Sequence, residues 1–146
     1  MVKTGWGWRW VGALALPFAL LEPAWAGTAE RACSAETFPD FVTRFGDDVS
    51  VQRGATSSPL HWQSMDLKAQ PEPQPVLKTL AMAQLPFPVM PLVAERQRAS
   101  LLLDVEMPGT HLGKVTLHKA DTDYLVNYYF VKKDCWSLVR IDDWSL

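Results

Sequence analysis

Three histidines and two cysteines are all that 146 residues offer a metal of the soft or borderline kind. The histidines stand at 61, 111 and 118 and the cysteines at 33 and 135, so neither a His-Glu-x-x-His signature nor a close thiol pair is present, and no metal site is expected. Neither a glycine-rich phosphate loop nor an ordered Ser, His and Asp set emerges from the spacing, which leaves no catalytic residue and no cofactor to assign. Charge of one sign is also scarce. With 14 basic and 16 acidic residues the chain lacks the basic stripe that a phosphate backbone demands, and nucleic acid is excluded as a partner.

Long apolar runs are missing too. The longest, Val11 to Leu21, is about 11 residues and contains Pro17, whereas a membrane span needs roughly 20. It lies behind a basic start carrying Lys3 and Arg9 and ahead of Ala24-Trp25-Ala26, the order of a secretory signal peptide with cleavage before Gly27. A lipid-anchored product would carry cysteine directly after the cut, and here Gly27 stands there. The expectation is a periplasmic or secreted domain, residues 27–146, with no stable membrane anchor after cleavage. Removing Lys3, Arg9 and Glu22 with the leader leaves 12 basic and 15 acidic residues, enough chain for one core and one domain. In an oxidising compartment the pair Cys33 and Cys135 reads as a disulfide; a buried reduced pair and a single reactive thiol are the competing readings.

What the mature chain does have is helical and strand periodicity in sequence. Phe38, Phe41, Val42 and Phe45 recur at i, i+3, i+4 and i+7, one stripe of a helix that Ser34 can cap and Gly46 can end. A short second helix is expected from Asp47 or Asp48 to Gly54, with Val49 and Val51 inward. Residues Pro59 to Asp66 alternate as a strand, Leu60 and Trp62 against His61 and Gln63. Gln70 to Pro75 reads as a proline-rich connector, Val76 to Leu85 as a modest helix, and Pro86 to Pro91 as a stiff apolar segment pinned on the core. Three strands close the chain: Lys114 to Ala120, Asp123 to Val131, and Cys135 to Ile141, an antiparallel meander joined by short loops. Helices first and antiparallel strands after is an α+β plan.

The long strand is the most informative segment. Tyr124, Val126, Tyr128 and Phe130 share one face, and Leu125, Asn127, Tyr129 and Val131 the other. Helices cover one face; the other requires the segment 85–93, a second subunit or a ligand. Candidate acid, base or ligand-binding groups for a concave sheet are His61, Asp66, His118, Asp123, Tyr124 and Tyr128, with His61, Asp66, Tyr124 and Tyr128 chosen as the ligand-binding set. The plain alternative for His61 and His118 is a solvated strand face, for Asp121 and Asp123 a turn, and for Asp142 and Asp143 a strand end facing water.

Phe38, Phe41, Phe45, Asp48, Gln52-Arg53 and Pro59-Leu60, followed by Tyr128, Phe130, Trp136 and Leu138, resemble a bacterial exported domain-of-unknown-function family with the nuclear-transport-factor-2-like fold. The resemblance implies a cone of helices over a curved sheet. Members often start from a lipid-modified cysteine, from which this chain departs, and the family has no agreed catalytic motif to transfer. Its fold serves enzymes, binding modules and dimerisation domains alike. The functional expectation is therefore a non-catalytic periplasmic module that binds a partner protein or small ligand through the curved sheet, with a homodimer as one way of covering it. A small hydrolase or isomerase in which His61, Asp66 and Tyr128 meet inside a cone is the alternative; an inhibitor or immunity-type protein is a third.

Overall fold

The computed structural model describes Cys33 and residues 36–146; the leader, the cleavage site and Ser34 lie outside them. Helix α1 (Phe38–Asp47) opens the fold, capped by the Thr37 hydroxyl, which accepts from Asp40 N at 3.3 Å. Pro39 sits in the first turn, where a missing N–H costs nothing. Phe38, Phe41, Val42 and Phe45 are all buried, as their spacing predicts. Gly46 does not end the helix in a left-handed turn. It is helical and buried beneath the Arg96 guanidinium, whose Nη1 donates to its carbonyl at 3.3 Å. The extended backbone of Asp48 terminates α1, and its carboxylate caps α2 (Val49–Gly54) through Ser50 N. In α2 the fully buried residue is Gln52 rather than Val49 or Val51.

Strand β1 (Thr56–Asp66) turns through residues 67–73 into β2 (Gln74–Leu80), with Leu60 opposite Leu80 and Asp66 opposite Gln74. The helix expected over Val76 to Leu85 is thus a strand followed by one 3-10 turn at Met82–Gln84. Pairing with β1 decides it, and Pro75 is tolerated because β2 is an edge strand. Two elements had no expectation attached: α3 (Val93–Ala99), which ends on left-handed Ser100, and β3 (Leu102–Gly109). The closing strands β4 (Leu112–His118), β5 (Leu125–Lys132) and β6 (Trp136–Asp143) form the expected meander, extended by β3 to four strands. Left-handed Asp121 turns the chain between β4 and β5, where a short polar side chain tolerates positive φ.

The six strands form one mixed sheet in the order β2-β1-β6-β5-β4-β3, parallel only between β1 and β6. With its helices on one side, this is an α+β fold. Phe38, Phe41 and Phe45 meet Phe130 at ring-centroid distances of 5.2–5.5 Å, edge to face. Leu60, Val115, Leu117, Tyr128, Leu138 and Ile141 line the same side and are buried. The proline-rich segment 85–93 joins that same core: Leu85, Val89 and Met90 are buried with the helix phenylalanines, and Gln52 holds Met90 N and O at 3.1 and 2.8 Å. It covers the helix side, so it does not cover the opposite face of β5. Cys33 and Cys135 are joined by a disulfide, their α-carbons 5.2 Å apart, which ties the chain before α1 to the start of β6. No helix among the described residues is long and apolar enough to cross a membrane.

Candidate functional site

Strand register defines the outward face of the sheet. Thr79, His61, Arg140, Tyr129, Lys114 and Glu106 stand side by side in one row across all six strands, and Leu77, Gln63, Asp142, Asn127, Thr116 and Asp104 form the next. Beyond the first row lie Leu112 and Val131, paired with each other, and Ser137. A polar band thus runs over the centre of the face with an apolar margin beside it.

Side-chain bonds stitch the two rows together. Arg140 Nε donates to Asp142 Oδ1 at 2.6 Å, its Nη2 reaches Gln63 Oε1 at 3.5 Å, and its guanidinium lies 5.8 Å from the Tyr129 ring centroid. Thr116 donates to Asn127 Oδ1 at 2.9 Å, and Lys114 stands 3.8 Å from Glu106. Asp142 is 4% exposed, which corrects the expectation that it faces water at the strand end: it lies within β6, enclosed on the sheet face by the groups it bonds. Burial pushes the Tyr129 phenol up from its usual value, and the charge and hydrogen bond of Asp142 push it further, with Arg140 opposing. The hydrogen bond to Asp142 also raises the Arg140 guanidinium, which stays charged. A groove of about 410 Å3 opens over this end, lined by Leu112, Val131, Val139 and Pro108 beside Tyr129, Arg140 and Asp142.

The four residues chosen from the sequence fall in three places. His61 is exposed on the outward face, beside Arg140 and 3.4 Å from Thr79 Oγ1. Asp66 is exposed at the end of β1, where it accepts Lys68 N at 2.9 Å and forms the turn. Tyr124 and Tyr128 point to the helix side, and the structure brings only these two together. Burial pushes the Tyr128 phenol far up, the neighbouring Tyr124 and Asp143 add to it, and Arg96 opposes. Tyr124 is raised by burial and Asp143. His61, Asp66 and Tyr128 therefore share no cavity. His118 binds Asp104 Oδ2 at 3.0 Å on the outward face, and Asp123 is exposed in the β4–β5 turn. No group of three or more His, Cys, Asp or Glu side chains among the described residues could hold a metal ion.

Arg140 and Asp142 were missed for a definite reason. Phe130 pairs with Leu138 but Tyr129 with Arg140, so Val139 is an extra residue in β6. Strict alternation from buried Trp136 and Leu138 puts Arg140 and Asp142 inward; the bulge reverses the parity and sends them outward. Alternation on β5 alone does place Tyr129 on the second face, and it was the available signal.

No protein-family model matches the chain, and no curated protein does. Among solved structures it is similar to an NTF2-like protein from Bacteroides fragilis NCTC 9343, with a TM-score of 0.56 and 21% sequence identity. The alignment covers 76% of this chain and 48% of that one, so this chain spans about half the length of the protein it matches. The likeness establishes the nuclear-transport-factor-2-like fold, which is compatible with a binding module and with an isomerase.

Proposed function

We propose that the mature chain is an exported, non-catalytic binding module that holds its ligand or partner against the outward face of the curved sheet. The observation that carries the reading is the contrast between the two faces. The helix side is packed with Phe38, Phe41, Phe45 and Met90, whereas the outward side keeps a groove with an ionic and phenolic end. Export rests on the basic start, apolar run and Ala24-Trp25-Ala26 of the leader, and the Cys33–Cys135 bond suits an oxidising compartment.

Protein recovered from the periplasm or medium should have an intact mass beginning at Gly27. Under native electrospray it should carry a co-purifying species that Val131→Asp removes and Lys68→Ala, in the distant β1–β2 turn, retains. A species unaffected by Val131→Asp would remove the groove from the reading, and a mass still including residues 1–26 would remove the cleaved leader.

The second reading, a small isomerase or hydrolase, draws on one feature: a buried carboxylate, Asp142, beside a phenol in a groove. Its weakness is that Arg140 already occupies Asp142 at 2.6 Å, so the carboxylate is turned to the guanidinium and not to a substrate.

A further inference from the structure

We infer that the outward groove recognises a small amphipathic monocarboxylate, its acid group against the free edge of Arg140 and its apolar body over Leu112, Val131 and Val139; this rests on the binding reading above.

The argument is a count of donors and acceptors at the polar end. Arg140 spends Nε on Asp142 and makes one long contact from Nη2, and Nη1 has no hydrogen-bond partner among the described residues although 45% of the side chain is exposed. Beside it the Gln63 amide nitrogen is buried without a partner. The Tyr129 phenol is turned to Asp142, so it does not meet that surplus. Lys114, next in the row, is held only by a 3.8 Å contact to exposed Glu106. His61 flanks Arg140 on the other side. Each cation has one acid beside it, Asp142 for Arg140 and Glu106 for Lys114, but Arg140 Nη1 keeps N–H groups that no acceptor among the described residues meets. A ligand that brings two acceptor oxygens meets those donors, and a planar carboxylate suits the free edge of a guanidinium.

The body of the ligand is set by the rest of the groove. Pro108, Leu112, Val131 and Val139 offer no hydrogen-bonding side chain, and Leu112 is 51% exposed in their midst. A sugar or a phosphorylated polyol would lose its water there without replacement. An alkyl or aryl chain would not. The volume of about 410 Å3 suits a small molecule and is too small for a folded partner to fill as a pocket.

The test is isothermal titration calorimetry of the disulfide-bonded mature protein with octanoate and with octan-1-ol, which share a chain length and differ in charge. Octanoate should bind at least about tenfold more tightly than the alcohol, Arg140→Gln should erase that preference, and Val131→Asp should abolish both. Arg140→Gln also strips Asp142 of its ion-pair partner. The double variant Arg140→Gln/Asp142→Asn leaves neutral amides in their place, and with a native circular dichroism spectrum it should lose the preference equally. Equal binding of acid and alcohol, unaffected at position 140, would overturn the carboxylate and leave the groove as the binding site. No binding of either, with the co-purifying species still lost in Val131→Asp, would overturn this ligand class alone. A concentration-dependent dimer that Val131→Asp dissolves would identify the occupant as a second copy and overturn the proposal.

Discussion

The tip of the Phe38 ring packs against Gly113, and a Cβ at that position would clash with it. Gly113→Ala should therefore cost about 1–3 kcal/mol, as overpacking does, read by urea titration of the oxidised protein. Phe45, fully buried against Phe41 and Phe130, tests the opposite change. Phe45→Ala should cost about 3–5 kcal/mol, and a loss below about 1 would show that it is not part of the core. Tyr128 makes a prediction in pH. Burial favours its neutral phenol and raises the pKa on folding, so this stabilisation is complete below about pH 10, the usual phenol value, and is lost as pH climbs toward the raised one. Stability should fall steeply above about pH 10, and Tyr128→Phe should flatten the decline.

At the scale of elements, the strands differ in how much holds them. β5 lies between β4 and β6 and carries buried residues on its helix side, while β2 is an edge whose residues are nearly all exposed. Native-state hydrogen exchange should find the most protected amides in β5 and the least protected strand in β2, because local opening of β2 uncovers little apolar surface. The same contrast explains which elements could be read ahead of the structure. The α1 stripe and the β4–β6 meander are local patterns, and their periodicity carried them. Residues 76–80, Val-Leu-Lys-Thr-Leu, have no decisive period, and it is β1 alongside that makes them a strand. Gln52 was invisible as a core residue because its burial depends on the Met90 backbone, 38 positions away.

At the scale of the molecule, one covalent bond closes most of the chain. The Cys33–Cys135 disulfide spans 102 positions and joins the approach to α1 with the last strand. Its loss in the Cys33→Ser/Cys135→Ser variant should cost up to about 4–5 kcal/mol, measured as a fall in the denaturant midpoint with a steeper slope, because the unlinked unfolded chain exposes more surface. Unfolded, unreduced protein should contain no titratable thiol; two thiols, or a covalent dimer on a non-reducing gel, would contradict the intramolecular bond.

Composition and spacing alone determined the α+β order, the inward phenylalanine stripe, the pairing of the two cysteines as the favoured reading and the two-sided character of β5, because each depends on neighbours a few residues apart or on the mere count of a residue type. The groove did not follow from them. Its polar end gathers side chains from β1, β5 and β6, brought into register by pairings that cross the sheet, and one extra residue at Val139 decides which face receives Arg140 and Asp142. A strand's period is written in its own residues, but its parity relative to the core changes at a bulge, and only the pairing with its neighbours reveals one.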